Sequence, residues 1–426
     1  MPPFEILRDP LWNNIRLDPL AVSLIDTPAF QRLRNVRQLG LAFLVYPGAT
    51  HSRFEHALGT FHLARRALSL LDERGELAGI SADDCMLIRV AALLHDIGHY
   101  PFSHALEEIG ALHHEQVARP LIAGGAIGDL LRTHVGVDAP EHILALVGGD
   151  SAHPLQRLIS GSLDLDKLDY LRRDAFMCGV SYGEIDVDRL LNSLEVMPDP
   201  VTGTTTVGIL EKGLSALESL LFARYQMYRN VYWHHAVRAA TAMYKRLVAE
   251  ALDAGALDAA ALASFTDEGI LGQLHRESPS PLLTALSRRA LYKRAFECPA
   301  AELDRDAAEW MADDHGLAVA AENALAQELG LAPGELLLDF PTKTQMLALD
   351  IPVRLRDGGV RRLTTEGRRG AIDLPKLSDE LYRSARWLRV FTRERTSLPA
   401  ERVLRFAHLD AADVRRRIQT GTALLD

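Results

Sequence analysis

Residues 91–104 have the sequence AALLHDIGHYPFSH, in which an apolar run ends at the adjacent pair His95-Asp96. An imidazole and a carboxylate at one helix end offer a divalent metal two ligands of accepted types. The pair alone is equally the pattern of an ordinary capped helix end. Its surroundings favour a metal site, because His99 follows at i+4 and eight of the 16 histidines lie between residues 51 and 114.

Two residues elsewhere complete a candidate ligand set for this pair. His56 and Asp166 supply a further nitrogen and a further oxygen ligand, and the set contains no thiolate. Such a set suits manganese, iron, zinc, magnesium or nickel, and the ligand types do not choose among these metals. With one position left open for water or phosphate, it predicts a metal-dependent hydrolase.

Hydrophobic periodicity predicts that the histidine ligands lie on two helices. A capping-box pattern at residues 81–84 opens a helix through Cys85–Asp96 that is apolar nearly all round. Apolar residues at helical spacing predict another helix over Phe54–Leu71, with His56 in its first turn and Gly75 beyond its end.

A third predicted helix covers Asp166–Phe176. Its residues Asp166, Tyr170 and Asp174 are spaced i, i+4, i+8 and therefore share one stripe. A stripe of this kind is suited to lining a pocket.

The remainder of the chain predicts more helix and some sheet. The run VTGTTTVGIL (201–210) favours a short hairpin, and residues 214–252 are expected to form a long helix. The run LALDIPVRLRDGGVRRLTT (347–365) predicts two strands about a turn at Asp357-Gly358-Gly359, with another helix over Leu377–Trp387. The expected fold class is mainly α, a helical core with a small α+β C-terminal unit.

Charge and cysteine content limit the possible classes of function. A net charge of −10 makes nucleic acid an unlikely partner, because nucleic-acid-binding proteins usually present a basic face. The three cysteines have no CxxC spacing, and neither a secretory leader nor an apolar run of membrane-spanning length is apparent. A soluble, cytoplasmic protein without a membrane partner is therefore expected.

Several ordered motifs together resemble the HD-domain deoxynucleoside triphosphate triphosphohydrolase family. They extend over roughly the first 250 residues and comprise residues 25–34, 37–40, 53–56, 95–104, 114–116 and 164–174, followed by Arg224, Tyr228 and Tyr232. The likeness is to bacterial members, without the sterile-alpha-motif domain that the mammalian enzyme adds. It implies an HD-domain metal-dependent phosphohydrolase core over residues 1–260, a helical extension over 261–339 and a small α+β region over 340–426.

The resemblance assigns roles around the metal. It implies that His56, His95, Asp96 and Asp166 hold the metal and that His114 is the catalytic proton donor. Glu115, beside His114, is expected to orient its imidazole, and His99 is expected to support the phosphates or the metal.

The resemblance also implies a substrate and a reaction. A deoxynucleoside triphosphate (dNTP) that carries its own magnesium is expected to be hydrolysed to a deoxynucleoside and inorganic triphosphate. Contacts with the phosphates and the sugar are expected from ten residues: Gln38, Leu39, Arg53, His104, Lys167, Tyr170, Asp174, Arg224, Tyr228 and Tyr232. Leu39, packed near the 2′-carbon, is expected to disfavour ribonucleotides.

A regulatory site is also expected, and two alternative functions remain open. Asp26, Gln31 and Arg34 match positions that bind an activating guanine nucleotide at a subunit interface in family members, so an effector site and a homo-oligomer (dimer or tetramer) are expected. The alternatives are another HD-type phosphohydrolase, acting on a nucleoside monophosphate or a signalling nucleotide, and a nucleotide-binding sensor without turnover.

Overall fold

Helices dominate the first 260 residues. The computed structural model describes residues 4–342, 350–363 and 374–426, with only the backbone of 374–379. The chain begins with a two-stranded antiparallel hairpin and continues through these elements: β1 (Glu5–Asp9), β2 (Asn13–Leu17), α1 (Pro19–Ile25), α2 (Pro28–Arg32), α3 (Arg53–Glu73), α4 (Ala82–Leu94), α5 (His114–Ala123), α6 (Gly125–His134), α7 (Ala139–Val147), α8 (Leu165–Cys178), α9 (Val187–Leu191), β3 (Leu194–Pro198), β4 (Thr205–Leu210), α10 (Leu214–Met227) and α11 (His235–Asp253).

Two of the three predicted ligand helices begin at capping boxes, and the third, α8, begins at Asp164, whose side chain accepts from the backbone N–H of Lys167 at 3.0 Å. Ser81 and Asp84 form the reciprocal capping box that opens α4, and Ser52 with Glu55 does the same for α3. Helix α3 packs against both α4 and α8, and all three contribute to one apolar core, so the three ligand-bearing segments meet at their ends. Helix α4 ends at Leu94 rather than at Asp96 as predicted, and His95 is its C-cap residue.

A glycine explains the sharp turn after His95-Asp96. Gly98 lies against the start of α5, where an added Cβ would stand 2.1 Å from the carbonyl oxygen of His114 and 2.5 Å from the backbone nitrogen of Ala118. Only glycine allows this approach. The turn therefore brings the metal-ligand pair and the N-terminus of α5 together.

The helix predicted over residues 214–252 is interrupted. A π-helical turn over Tyr228–Tyr232 separates α10 from α11, whose N-cap residue His234 accepts a hydrogen bond from the backbone of Ala236. Helical periodicity in the sequence does not distinguish α from π turns, which explains the error.

The C-terminal part mixes helices with two sheets. Its elements are α12 (Asp267–Glu277), α13 (Pro281–Ser287), β5 (Lys293–Pro299), α14 (Trp310–Asp313), α15 (His315–Glu328), β6 (Leu336–Asp339), β7 (Pro352–Arg354), β8 (Val360–Arg362), α16 (Leu374–Ala385), β9 (Trp387–Thr392), α17 (Ala400–Ala407) and α18 (Ala411–Thr420). The mainly α fold class with a small α+β unit is confirmed.

The sheet topology corrects the expected organisation of this part. One sheet has the order β5-β9-β6, and the other has the order β3-β4-β7-β8, with β7 parallel to β4. Strands β5 and β6 lie within residues 261–339, so this segment is not helical throughout. Both sheets also join residues on either side of position 340. Strand partners that are distant in sequence leave no local signal, so the sequence alone does not predict these pairings.

Two hairpin predictions and one helix prediction had the right type but shifted limits. The turn at Asp357–Gly359 does connect β7 and β8, and the Leu355 N–H donates to the Gly359 carbonyl at 2.8 Å across it. The other hairpin turns at residues 199–204, before most of the run 201–210. The predicted helix over Leu377–Trp387 corresponds to α16, and Trp387 begins β9; residues 347–349, 364 and 365 lie outside the described residues.

Membrane-spanning helices are absent from the described part of the chain, where no helix combines the length and the apolar composition that crossing a bilayer requires.

Candidate metal-dependent active site

Four candidate ligand side chains converge on one point at the ends of α3, α4 and α8. These residues, which we call the metal cluster, are His56, His95, Asp96 and Asp166. The Nε2 atom of His56 lies 3.2 Å from Nε2 of His95, 3.0 Å from Oδ1 of Asp166 and 3.5 Å from Oδ2 of Asp96. Nε2 of His95 lies 3.5 Å from Oδ1 of Asp96 and 3.6 Å from Oδ1 of Asp166. Ligands bonded at about 2.0–2.2 Å to one metal are separated by similar distances.

The hydrogen bonds behind these imidazoles fix which nitrogen faces the cluster. Nδ1 of His56 donates to Oδ2 of Asp169 at 2.8 Å, and Nδ1 of His95 donates to the carbonyl of Ala92 at 2.9 Å. In a neutral imidazole the other nitrogen then carries a lone pair, so two lone pairs face each other across 3.2 Å. This arrangement repels itself unless a proton or a metal ion lies between the nitrogens, and the two nitrogen and two carboxylate donors fit a divalent metal.

The electrostatics of the protein alone also favour positive charge here. Burial would lower the pKa of His56, but the hydrogen bonds that its ring donates to Asp166 and Asp169 outweigh burial and raise the pKa to about 10. Burial would raise the pKa of Asp96, whereas Arg53 and the neighbouring imidazoles bring it well below its usual range. The carboxylates are thus ionised, as metal ligands must be.

Arg53 is held by three groups at the edge of the cluster. Its Nη1 donates to Oδ2 of Asp96 at 2.6 Å, its Nε to Oγ of Ser103 at 3.1 Å and its Nη2 to the carbonyl of Gln38 at 3.5 Å. The guanidinium is nearly fully buried and lines the adjoining cavity. Its position is therefore fixed before any anion arrives.

A group of imidazoles around Glu107 stands beside the metal cluster. Nδ1 of His114 donates to Oε1 of Glu107 at 2.7 Å, and Nδ1 of His104 donates to Oε2 of the same carboxylate at 3.1 Å. The His99 and His114 rings stack with centroids 3.9 Å apart and planes 15° from parallel. Nε2 of His99 contacts Oδ1 of Asp96 at 3.1 Å, which connects this group to the metal cluster.

The residue that orients His114 is Glu107, which corrects the expectation for Glu115. The Glu115 carboxylate lies 3.8 Å from Nδ1 of His113, and its side chain is 43% exposed. Adjacent residues at the start of a helix point in different directions, so Glu115 and His114 do not face each other. Glu107 approaches from the 3₁₀ helix Ser103–Ile109 and reaches both imidazoles.

A buried ion cluster anchors this 3₁₀ helix to the C-terminal sheet. Glu108 accepts from Nη1 of Arg238 at 2.9 Å and from Nζ of Lys245 at 2.8 Å. Nε of Arg238 also donates to Oδ2 of Asp339, in β6, at 3.0 Å. The residue next to Glu107 is thus tied to two distant elements.

The metal cluster opens into a cavity of about 760 Å³. Its lining includes every residue that the sequence assigned to catalysis or substrate, namely Gln38, Leu39, Arg53, His99, His104, His114, Glu115, Lys167, Tyr170, Asp174, Arg224, Tyr228 and Tyr232. Three of the four candidate ligands, His95, Asp96 and Asp166, also line it, and His56 lies fully buried behind them.

Aromatic and charged side chains from α8, α10 and the π turn form one wall of this cavity. Tyr232 donates to Oδ2 of Asp174 at 2.7 Å, and Nε2 of His51 donates to Oδ1 of the same carboxylate at 2.7 Å. The Tyr228 and Tyr232 rings meet edge to face with centroids 5.0 Å apart. The π turn brings both tyrosines to this wall, a use that recurs for π turns at functional sites.

Polar groups of the cavity are only partly satisfied by the described residues. Nζ of Lys167 donates to the carbonyl of Gly161 at 2.9 Å and pairs with Asp164. Within the described part of the chain, the buried Oε1 of Gln38 and Nε of Arg224 have no hydrogen-bond partner. Buried polar atoms are rarely left unpaired, which marks these two for contact with a ligand or water.

The three candidate effector residues lie together outside this cavity. Nε of Arg34 donates to Oε1 of Gln31 at 2.8 Å, and the Arg34 guanidinium lies 3.6 Å above the centre of the Phe54 ring. Nε2 of Gln31 donates to the carbonyl of Ile25, and Asp26, at the end of α1, is exposed. The group forms a polar surface patch beside the start of α3.

Sequence reasoning missed three residues that the geometry links to the site. Asp169 holds His56, Glu107 holds His114, and His51 holds Asp174. A signal existed for the first two, because Asp169 lies three residues after Asp166 and Glu107 three residues after His104. His51 lies 123 positions from Asp174, and no local pattern connects them.

Two family models match the chain. The HD domain matches residues 53–137, and the HD associated region matches residues 185–367. The first match begins at α3 and includes His56, His95, Asp96, Glu107 and His114. The second covers the π turn, α11 and most of the C-terminal part up to β8.

Two individual proteins are also similar to this chain in sequence. An uncharacterized protein of Methanocaldococcus jannaschii is 39% identical over 291 residues, which cover 68% of this chain and 59% of that protein. The human deoxynucleoside triphosphate triphosphohydrolase SAMHD1 is 29% identical over 266 residues, covering 54% of this chain and 42% of that enzyme. The chain thus spans about half the length of the curated relatives that it matches.

The fold recurs in a solved structure. The crystal structure of a phosphohydrolase from Bacteroides thetaiotaomicron superposes with a TM-score of 0.72 at 24% identity, covering 92% of this chain and all of that one. At this identity the likeness concerns the fold alone. Since the matched HD domain coincides with the helices that carry the converging His56, His95 and Asp96, the chain contains an HD domain followed by an HD associated region.

Proposed function

We propose that this protein is a metal-dependent dNTP triphosphohydrolase that cleaves the bond between the α-phosphorus and the 5′-oxygen. The observation that carries the proposal is the joint opening of the metal cluster and the Glu107-His114 pair into one cavity of about 760 Å³. A volume of this order accommodates a nucleotide. Similarity to human SAMHD1 over 54% of this chain supports the choice of substrate.

His56, His95, Asp96 and Asp166 would hold the metal. When bound, the metal acts as a Lewis acid on the α-phosphoryl oxygen and favours ionisation of the attacking water. The mixed nitrogen and oxygen donors admit manganese, iron, zinc or nickel, and a magnesium ion would accompany the nucleotide phosphates.

His114 would give its proton to the departing 5′-oxygen. Water forms the new bond to the α-phosphorus while the bond to the 5′-oxygen breaks, so the products are a deoxynucleoside and inorganic triphosphate. Glu107 holds Nδ1 of His114 at 2.7 Å, which leaves Nε2 to carry the transferred proton. The stacked ring of His99 limits rotation of the His114 ring.

The phosphates would contact the cationic groups of the cavity. Arg53 is already fixed by Asp96 and Ser103, and its bidentate fork suits a phosphate. Lys167 would exchange Asp164 for a phosphate oxygen, with Arg224, Tyr170 and His104 as further donors.

The sugar would lie against Tyr232, Asp174, Gln38 and Leu39. Asp174, oriented by His51 and Tyr232, would accept from the 3′-hydroxyl, and the unpaired Oε1 of Gln38 offers another acceptor. Leu39 near the 2′-carbon would leave a ribonucleotide hydroxyl without a partner, which disfavours ribonucleotides.

Regulation by a guanine nucleotide is part of the same proposal. The exposed carboxylate of Asp26 would accept from the guanine N1 and N2 hydrogens, and the Arg34 guanidinium would donate to O6. In this proposal the patch of Asp26, Gln31 and Arg34 lies at the interface of a homo-oligomer.

The test is product analysis. Manganese-loaded protein is incubated with each dNTP and NTP, singly and in pairs with a guanine nucleotide, and the products are separated by anion-exchange chromatography. Inorganic triphosphate together with deoxynucleoside supports the proposal, whereas orthophosphate or pyrophosphate would indicate another phosphohydrolase. A His114→Ala variant should bind metal and dNTP without turnover, while the exposed His142→Ala variant should turn over normally.

Binding without turnover by the wild-type protein would indicate a nucleotide sensor instead. Activity that appears only when a guanine nucleotide is added would support the effector site, and an Asp26→Asn variant should then lose this dependence.

A further inference from the structure

A second set of potential metal ligands stands next to the metal cluster but shares no residue with it. His99, His104, Glu107 and His114 each have one donor atom within 4.8 Å of the donor atoms of the other three. His56, His95 and Asp166 form a separate group by the same measure. A third group among the described residues, His113, His114 and Glu115, shares His114 with the first of these sets. Converging donors around His114 thus stand beside the separate group of His56, His95 and Asp166.

Glu107 is the centre of the second set. Its Oε1 accepts from Nδ1 of His114 at 2.7 Å, and its Oε2 accepts from Nδ1 of His104 at 3.1 Å. A carboxylate bridged in this way by two imidazoles already holds two nitrogen donors at contact distance. Replacing the two shared protons by one cation requires ring rotation, because the His99 and His114 planes are stacked 15° from parallel and imidazole lone pairs lie in the ring plane.

His99 supplies an unused ring nitrogen at the same place. Its side chain is 1% exposed, Nε2 contacts Asp96, and Nδ1 has no hydrogen-bond partner among the described residues. The His99 ring lies 4.7 Å from that of His104, at 88° between the planes. A buried imidazole nitrogen without a partner is uncommon and indicates that the site is completed from outside the chain.

The donor types select among cations. Three imidazoles and one carboxylate form a four-ligand set of the kind that Zn²⁺ accepts, whereas Mg²⁺ prefers six oxygen ligands. Donor atoms around a tetrahedral Zn²⁺ are about 3.3 Å apart, so the set must contract slightly. His104, with 57% of its side chain exposed, can move to achieve this and also gives the ion access from the cavity.

We propose that His99, His104, Glu107 and His114 form a second cation site that binds Zn²⁺, and that its occupation inhibits the enzyme. Inhibition rests on the proposed function, because a Zn²⁺ ion on His114 and Glu107 occupies the groups assigned to proton donation. Binding of Zn²⁺ at this site does not depend on whether the protein hydrolyses dNTPs.

The first experiment counts bound zinc. Wild-type, His104→Ala and His142→Ala proteins are saturated with Zn²⁺, dialysed and analysed for metal per chain. Wild type and the surface control His142→Ala should retain two zinc ions per chain. His104→Ala should retain one, because the set of His56, His95, Asp96 and Asp166 is unchanged. Equal zinc contents in all three proteins would overturn the proposal.

Anomalous diffraction from zinc-soaked wild-type crystals decides the location without any variant. A peak surrounded by His99, His104, Glu107 and His114 supports the site, and a single peak at His56 and His95 rejects it. This measurement is independent of activity, so it also stands if the protein does not hydrolyse dNTPs.

The second experiment tests inhibition. Manganese-loaded protein is assayed against a dNTP with increasing Zn²⁺ or Mg²⁺, and each variant is normalised to its own zinc-free rate. Excess Zn²⁺ should inhibit wild type and His142→Ala at least tenfold more strongly than His104→Ala, and Mg²⁺ should not inhibit. Equal zinc sensitivity of all three proteins would refute inhibition through this site, while absence of any dNTP turnover would count against the proposed function and leave the zinc count valid.

Discussion

The carboxylate of Asp267 in α12 accepts a hydrogen bond from the backbone N–H of Phe102 at 2.7 Å. Its other oxygen accepts from the backbone N–H and from Nη1 of Arg37, at 3.0 and 3.1 Å. Phe102 and Ser103 have φ angles of 56° and 62°, in the left-handed region that residues with side chains rarely occupy. A buried acid 165 positions away thus stabilises the turn between His99 and His104.

Replacing Asp267 by Asn should destabilise this turn. The neutral amide oxygen cannot replace both charged acceptors, so the free energy of unfolding should fall by about 1–3 kcal/mol. Because His99 and His104 move with the turn, kcat/KM should fall about 10- to 100-fold. Urea unfolding and steady-state kinetics measure the two effects. The neighbouring Glu268→Gln variant, whose side chain is 75% exposed, should change stability by less than about 1 kcal/mol.

Asp169→Asn should weaken metal binding without removing a ligand. Asp169 accepts from Nδ1 of His56 at 2.8 Å and thereby directs Nε2 towards the metal. Loss of a hydrogen bond to the ring nitrogen of a ligand histidine that faces away from the metal typically lowers metal affinity by about 10- to 100-fold. Competition with a chelator measures the affinity.

The matched control for that experiment is Asp9→Asn. Asp9 and Asp169 both pair with Arg173 at 2.8 Å, but only Asp169 contacts His56. Both variants should lose stability through Arg173, and only Asp169→Asn should lose metal affinity. Equal losses of affinity would mean that the effect is general destabilisation.

The pH dependence of turnover should depend on Glu107. Burial lowers the pKa of His114, and the hydrogen bond to Glu107 partly offsets this by raising it. A proton donor is active while protonated, so kcat/KM should decline as the pH rises through this pKa. Glu107→Gln removes the raising contribution, and the decline should shift to lower pH.

Glu115→Gln is the comparison for Glu107→Gln. Glu115 makes no hydrogen bond to His114 in the described structure, so the pH at which activity declines should not change. A shift in this variant, with none in Glu107→Gln, would restore Glu115 as the orienting residue.

Acid should destabilise the protein through His62. Burial, with help from Arg66 and Arg65, lowers the pKa of His62 from 6.5 to about 4. Between pH 6.5 and pH 4 the unfolded chain binds a proton at His62 and the folded protein does not. The stability that depends on a neutral His62 is therefore fully present above pH 6.5 and is lost as the pH falls through 4. His62→Phe, which retains a ring beside Trp12, should flatten the dependence of urea-unfolding free energy on pH. His142→Ala should leave it unchanged, and parallel curves for all three proteins would contradict the assignment.

Local signals in the sequence predicted the helices that carry the candidate ligands. The capping box at Ser81 and Asp84 and the apolar spacing after Phe54 depend only on neighbours along the chain, so α4 and α3 appear within one or two residues of their predicted limits. The candidate ligands could be selected because ligand chemistry restricts residue types. Their convergence to within 3.6 Å follows from the packing of α3, α4 and α8, which periodicity alone does not specify.

The errors involve partners that are distant in sequence or directions that the sequence does not encode. Glu115 was favoured because it is adjacent to His114, but the carboxylate that reaches the imidazole belongs to Glu107 in the preceding segment. Asp267 gave no signal, since its partners Phe102 and Arg37 lie in other elements. The pairing of β6, before residue 340, with β9, after it, likewise has no local signal in the sequence.

The central position of β9 has a consequence for biosynthesis. Strands β5 and β6 both pair with β9 and not with each other, so neither can form its ladder until residues 387–392 have left the ribosome. Asp339 in β6 also anchors Arg238 and, through it, Glu108 beside the active site. A nascent chain that ends before Trp387 would therefore expose two unpaired strand edges while the loop that carries Glu107 and Glu108 still lacks this anchor, so we expect chaperones to bind at that stage of synthesis.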